Sequence, residues 1–153
     1  MSEPSTMGAP RAAAPADSAF AIPVRIYWED TDAGGVVYHA RYLAFMERAR
    51  SEWLRAQDVH QDALREQEDL VFVVRGMAID FRSPARLDDQ LQVSVRLLQC
   101  RGASFVVAQT IERNGALLVE AEVRIGALRA TDFRPRPMPP PLSDTLKRLL
   151  ETP

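Results

Sequence analysis

The sequence contains very little cysteine and histidine. Cys100 is the only cysteine among 153 residues, and His39 and His60 are the only histidines. A single cysteine cannot form an intrachain disulfide, and these three residues make no set of metal ligands. We therefore expect an inert thiol at Cys100, no metal or other cofactor, and a reducing compartment, with the cytoplasm as the default location.

An excess of one sign of charge is lacking as well. Nineteen basic and 21 acidic residues give a formal charge of -2, whereas a general nucleic-acid binder normally carries a strong positive excess. A local basic patch for a phosphorylated ligand remains compatible with this total. No apolar run approaches the roughly 20 residues needed to span a bilayer. Residues 1–19 also lack the apolar core of a secretory signal, so we interpret them as an untargeted flexible extension.

The hydrophobic pattern predicts one domain over residues 20–134. Val24, Ile26 and Trp28 alternate with polar residues, which is typical of a half-buried strand. Residues 36–57 contain no glycine or proline and carry apolar residues at helical spacing, which predicts one long amphipathic helix. A short second helix is expected at residues 61–67. Trp28, with Tyr42 and Phe72, is a candidate for lining a pocket, although packing in the core is the preferred interpretation for all three.

After residue 70 the period of the pattern changes to two, which predicts four strands. The first run has Val71, Val73, Met77, Ile79 and Phe81 at positions of one parity. Breaks follow at Ser83-Pro84 and at Arg101-Gly102, and Asn114-Gly115 is a two-residue hairpin signal. The prolines after residue 134 exclude a further strand, so residues 135–153 are interpreted as a tail with a short helix at 142–150. The predicted fold class is α+β, an antiparallel sheet around one long helix.

Residues with chemical potential are concentrated at the entrance to that helix. Asp30 and Asp32, Gly34-Gly35 and the pair Tyr38-His39 lie there. A helix N-terminus offers free N–H groups with partial positive charge, and a glycine lets a ligand approach the backbone closely. A carboxylate opposite such donors can act as a base or a nucleophile on a polarised carbonyl. Taken singly, the aspartates are better interpreted as helix caps or turn formers and His39 as an ordinary histidine, and the two glycines could form only a turn.

The segment EDTDAGGVVYHARYLAFMERAR at residues 29–50 resembles the signature of the Tol-Pal-associated acyl-CoA thioesterases (YbgC). These belong to the wider 4-hydroxybenzoyl-CoA thioesterase family. RSPARLDD at residues 82–89, RGASF at 101–105 and EAEV at 120–123 continue the resemblance in the same order. It covers residues 22–137.

The resemblance implies a hot-dog fold, pairing of two subunits into one continuous sheet, and active sites at the subunit interface. It implies hydrolysis of an acyl-CoA thioester, with Asp32 as nucleophile or general base. A backbone N–H near Val37, Tyr38 and His39 would be the oxyanion donor, and Gly35 would lie against the substrate. His39 matches the histidine of the motif.

The resemblance also implies contacts with the CoA phosphates. Arg101, with Ser104 in the same segment, falls where relatives carry basic residues for this purpose. Gly102 stands where the benzoyl-type relatives add further positive charge, so phosphate contacts here are fewer or come from elsewhere. Arg82 and Arg86 are further candidates, although an exposed, solvated role suits each equally well.

Three functions stay open at this point. The first is the thioesterase, as a homodimer or homotetramer and with no preference of acyl chain readable from the sequence. The second is a hydroxyacyl-thioester dehydratase, for which His39 is the candidate on the helix. The third is a non-catalytic acyl-binding module that contacts acyl carrier protein, cell-envelope proteins or the lipid-synthesis machinery.

Overall fold

The computed structural model describes residues 20–151. A short 3-10 turn at Trp28–Asp30 follows the first strand. The regular elements in this part of the chain are β1 (Phe20–Arg25), α1 (His39–Ala56), α2 (Gln61–Glu68), β2 (Leu70–Phe81), β3 (Gln90–Arg101), β4 (Ser104–Arg113), β5 (Ala116–Arg129) and α3 (Pro140–Glu151). None of these helices has the length and apolar character required to cross a membrane. The expectation for residues 1–19 lies outside the described residues.

The five strands form one antiparallel sheet in the order β1-β3-β4-β5-β2. Helix α1 packs on one face of it, where Phe45 and Met46 have no exposed surface. The ring of Trp53 on α1 lies 6.1 Å from the ring of Phe105 on β4. Gln109 of β4 donates a hydrogen bond from Nε2 to the Met46 carbonyl at 3.1 Å. The predicted α+β hot-dog fold, a sheet wrapped around one long helix, is confirmed.

The hairpin between β4 and β5 has the predicted turn. Arg113 pairs with Ala116, so the loop consists of Asn114 and Gly115 alone. Both have positive φ, +51° and +81°, as a two-residue turn of this kind requires.

The apolar residues that share one parity in β2 do not share one face of the sheet. A β-bulge interrupts the pairing with β5 between Val74 and Gly76. An extra residue in one strand reverses which side chains face which side beyond it. Met77 pairs with Val123 on the side of the helix, whereas Val71 pairs with Leu128 on the opposite side. A bulge is set by long-range pairing, so the alternation of residues along β2 could not reveal it.

The start of α1 also differs from the prediction. Val37 forms an isolated bridge with Thr31 and donates its N–H to the Ala85 carbonyl at 2.9 Å. These bonds hold Val37 outside the helix and Tyr38 is extended, so the helix begins at His39 rather than near residue 36. Trp28, expected to pack in the core, is 78% exposed because the chain leaves β1 at Arg25 and enters the 3-10 turn.

The segment after residue 134 contributes to the core. Pro135 forms an isolated bridge with Leu128, but no strand follows. Helix α3 begins at Pro140 and packs against β3, and its Leu142 and Leu146 are buried. The segment that the sequence pattern set apart as a tail therefore packs with the domain.

Candidate active site

A tight turn before α1 carries Asp32. The Asp32 N–H donates to the Val36 carbonyl at 2.9 Å, and the Gly35 N–H donates to the Asp32 carbonyl at 3.0 Å. Gly34 donates its N–H to Asp32 Oδ1 at 2.8 Å, which fixes the carboxylate against the turn. Among the described residues Oδ2 has no hydrogen-bond partner, and the side chain is exposed. One carboxylate oxygen is thus anchored and the other is available.

The first turn of α1 has two backbone N–H groups without an acceptor among residues 20–151. The N–H of Val37 is bonded to Ala85, and the N–H of Tyr38 donates to the Asp30 carbonyl at 2.9 Å. Arg41 donates its N–H to the Tyr38 carbonyl at 2.8 Å. The remaining N–H groups belong to His39 and Ala40, which are both exposed. They are the orphan donors that every helix start carries.

Aromatic side chains surround this helix start. The His39 ring lies 4.6 Å from Tyr38 and 6.3 Å from Phe81 at the end of β2. Tyr42 is buried and accepts the Ala85 N–H on its hydroxyl at 2.9 Å. Burial raises the pKa of the Tyr42 hydroxyl, the bond to Ala85 lowers it, and the charge of Asp32 adds a small upward contribution. The sequence indicated core packing or a pocket wall for Tyr42, but its hydrogen bond to Ala85 spans 43 residues and leaves no local signal.

Arg82 and Arg86 lie on the β2–β3 connection, beside Ala85. The Arg82 guanidinium is paired with Glu120 and also lies 3.3 Å from Asp80 Oδ2. Arg86 is exposed and forms no ion pair within the described residues. Both are near the helix start, but Arg86 is the freer cation of the two.

Arg101 and Ser104 lie at the other end of the sheet. Ser104 pairs with Gly126 of β5, whereas the site end of the sheet is marked by Phe81, which pairs with Val119 of β5. Seven residues of strand separate those two positions on β5, which is about 23 Å at the usual rise per residue. The chain by itself therefore does not bring Arg101 and Ser104 together with Asp32.

Comparison with known proteins identifies the family. The family model of the thioesterase-like superfamily matches residues 26–146. The acyl-CoA thioesterase YbgC of Haemophilus influenzae is 45% identical over 123 residues, 80% of this chain and 90% of that protein. The chain belongs to the YbgC family of thioesterases.

Solved structures agree with this family assignment. A probable thioesterase from Bartonella henselae has a TM-score of 0.76 at 39% identity and covers 80% of this chain and 100% of its own. A thioesterase from Thermus thermophilus, solved with coenzyme A and zinc, has a TM-score of 0.73 at 26% identity. It covers 87% of this chain and 95% of its own. The YbgC resemblance expected from the sequence is confirmed.

This YbgC-family chain has a cavity of about 150 Å³ between α1 and the start of β2. Phe72, predicted as a candidate for lining a pocket, is in its wall with Val74 and Phe105. The polar wall includes Arg50, which is 9% exposed and donates from Nη1 to Gln109 Oε1 at 2.9 Å. Burial lowers the pKa of Arg50, and none of the described carboxylates forms an ion pair with it.

Sequence analysis did not single out Arg50 as a residue of the core. Its spacing was the missed signal, since it lies four residues after Met46 and three before Trp53, on the apolar face. Elsewhere in the described residues, no group of three or more potential ligand side chains comes together that could hold a metal ion.

Strand β2 ends the sheet on one side. Within residues 20–151 it pairs with β5 alone. Val74 and Phe81 on this strand are 49% and 45% exposed. A strand of 12 residues with a free, largely apolar edge is a template for pairing with another strand.

Proposed function

We propose that this protein hydrolyses acyl-CoA thioesters to a free acid and CoA, as the names of its relatives state for them. The observation that carries the proposal is the position of Asp32 on a tight turn directly before two unpaired N–H groups of α1. A carboxylate and an oxyanion site on neighbouring backbone segments are the parts that acyl transfer to water requires.

The N–H groups of His39 and Ala40 would bind the thioester oxygen, and the helix dipole would stabilise its developing negative charge. Asp32 has two routes. Its Oδ2 attacks the carbonyl carbon, the C–S bond breaks to release CoA, and water then hydrolyses the acyl-aspartyl anhydride. Alternatively Asp32 takes a proton from water, the hydroxide adds to the carbonyl, and CoA leaves as the thiolate. Both routes use only water and groups of this protein, so no cofactor enters them.

The neighbouring side chains shape the place where the acyl group would lie. Gly35 has a φ of +81° and nothing within 4 Å of the position a Cβ would occupy, so a substrate can approach the backbone there. Tyr38 and His39 are exposed beside the turn, and their rings are tilted against each other with centroids 4.6 Å apart. We assign Tyr38 and His39 to substrate positioning, with Val37 holding the helix start through Ala85.

A second copy of the chain would complete the site. If the free β2 edges of two copies pair antiparallel, the start of one β2 lies beside the end of the other. The partner's Arg101 and Ser104 turn then lies at the same end of the joint sheet as Asp32, where it can hold the CoA phosphates with Arg82 and Arg86. The protein would thus act as a homodimer, or as a homotetramer of such dimers, in the cytoplasm, where CoA or acyl carrier protein presents the thioester.

The test is thiol release from a panel of acyl-CoAs, from acetyl through benzoyl to palmitoyl, by wild type and Asp32→Asn. Removal of the carboxylate should lower the rate at least about 100-fold. Asp144→Asn, an exposed aspartate on α3, is the matched control and should retain wild-type turnover. Equal turnover by wild type and Asp32→Asn would contradict the mechanism, and release of an enoyl product would identify a dehydratase.

A further inference from the structure

Asp30, two residues before Asp32, is one of the few buried carboxylates among the described residues. Its side chain is 5% exposed. Oδ2 accepts the N–H of Tyr27 at 2.9 Å, and Oδ1 accepts Nε of Arg41 at 2.9 Å and lies 2.8 Å from its Nη2. Asp30 also accepts the Tyr38 N–H on its backbone carbonyl at 2.9 Å. One residue therefore joins the 3-10 turn to the start of α1.

Arg41 occupies an unusual place for a cation. It lies in the first turn of α1, where the helix dipole disfavours positive charge. Its guanidinium also lies over the Phe45 ring, 5.7 Å from the centroid. Contact with Phe45 does not explain why a cation lies at position 41. Arg48, one turn after Phe45, has its guanidinium over the same ring, also at 5.7 Å. The contact that distinguishes Arg41 from Arg48 is the ion pair with Asp30.

The charge of Asp30 would matter for the chemistry at the helix start. Its backbone carbonyl is one hydrogen bond from Tyr38, the residue directly before the free N–H groups of His39 and Ala40. An unpaired, largely buried negative charge on Asp30 would oppose negative charge on a thioester oxygen bound to those groups. With Arg41 bound to it, the pair is neutral as a whole.

We propose that Arg41 is a positioning residue that neutralises Asp30 and so keeps the oxyanion site of α1 favourable for negative charge. The inference rests on the proposed function of Asp32 and the helix start. It is an electrostatic role, distinct from simply holding the turn in place, and this distinction can be measured.

The experiment compares kcat and KM of wild type with those of four variants. These are Arg41→Met, Arg41→Lys, the double variant Asp30→Asn/Arg41→Met, and Arg48→Met. Arg41→Met leaves a lone buried carboxylate and should lower kcat about 10-fold or more, with KM changed less than about 3-fold. The double variant has no charge on either residue and should recover most of that loss. Arg41→Lys keeps the charge and should stay close to wild type. Arg48→Met removes the equivalent ring contact and should change neither constant.

Two results would overturn the inference. One is an unchanged kcat in Arg41→Met, and the other is a double variant no faster than Arg41→Met, which would mean that the pair has a structural role only. If wild type itself released no thiol from any acyl-CoA, the proposed function would fail first. The amide resonances of Gly34, His39 and Ala40 then test the pair: they should shift in Arg41→Met and return in the double variant, and resonances that do not move would refute it.

Discussion

Gly34 and Gly35 adjoin the same carboxylate, but a side chain would affect each in a different way. A Cβ on Gly34 would lie 3.1 Å from Asp32 Oδ1, whereas a Cβ on Gly35 would meet nothing within 4 Å. The obstacle at Gly35 is its φ of +81°, which L residues rarely adopt. The lack of a side chain at Gly34 therefore leaves room for the Asp32 carboxylate. The lack of one at Gly35 allows the positive φ of the turn.

We expect Gly34→Ala to lower kcat/KM about 10-fold with little change in stability, because it displaces the Asp32 carboxylate by a few tenths of an ångström. Gly35→Ala should cost about 1 kcal/mol of unfolding free energy through strain. Gly115→Ala is the matched control, since it has the same φ of +81° and open space but lies outside the site. Urea unfolding and thiol release measure the two effects. Equal activity of the Gly34→Ala and Gly115→Ala variants would contradict this division.

Arg50 and Gln109 form a second instructive pair at the residue scale. Gln109 is fully buried and donates to the carbonyls of Met46 and Ser94 while it accepts from Arg50. It therefore satisfies a buried cation and two backbone groups at once. Loss of the amide would leave the buried Arg50 guanidinium without this acceptor.

Gln109→Leu should reduce the unfolding free energy by about 2–3 kcal/mol, because the Arg50 charge stays buried without its acceptor. Arg50→Met removes the charge together with its need for an acceptor, so it should lower the unfolding free energy less than Gln109→Leu does. Urea unfolding with a constant m-value tests both. A larger loss in Arg50→Met than in Gln109→Leu would show that the cation stabilises the fold by itself.

At the scale of elements, the β2–β3 connection determines where α1 begins. Ala85 on this connection binds Val37 and Tyr42, and Asp89 closes its end. Asp89 Oδ2 accepts from the Arg86 N–H at 2.9 Å and from Arg113 Nη1 at 2.7 Å. Partial burial raises the pKa of Asp89, but these two donors outweigh it and hold the pKa below its ordinary 3.8.

A carboxylate whose pKa is lower in the folded than in the unfolded state stabilises the fold above the unfolded pKa. That contribution is lost as pH falls through the folded value. We therefore expect Asp89→Asn to lower the unfolding free energy at pH 7, and expect the difference from wild type to shrink below about pH 4. Urea unfolding at pH 7, 5 and 3 measures it. A difference that stays constant over this range would show that the charge of Asp89 has no part in it.

At the scale of the whole molecule, Asp32 and Arg101 lie at opposite ends of the sheet. About 23 Å of strand separates the two ends of the sheet, so Arg101 does not lie beside the Asp32 carboxylate of the same chain. The free edge of β2 offers the route by which a second copy could supply the missing cation.

This arrangement predicts complementation between two inactive variants. Asp32→Asn and Arg101→Ala should each be strongly impaired, but a refolded equal mixture should recover to about a quarter of wild-type activity. Half of the dimers then contain both chains, and each has one intact site made from the two subunits. A mixture no more active than its components would mean that Asp32 and Arg101 act in the same chain or that Arg101 has no role.

The order of the elements and the chemistry of the short turns could be predicted from the amino-acid sequence. Alternation, helical spacing and the Asn114-Gly115 pair depend on neighbours a few residues apart, so a linear pattern is enough to predict them. The same holds for the turn at Asp32, whose hydrogen bonds all stay between residues 32 and 36. The YbgC motif could be recognised for that reason.

Which groups at the site are free depends on long-range contacts in the folded chain. Ala85 takes the Val37 N–H, Arg41 neutralises Asp30, and a bulge opposite β5 turns Val71 away from the helix. Arg101 likewise proves remote from Asp32 only once the strands are paired. Each of these contacts joins residues that are 11 to more than 50 positions apart, and no local periodicity records such a contact, because it depends on how the whole sheet closes around α1.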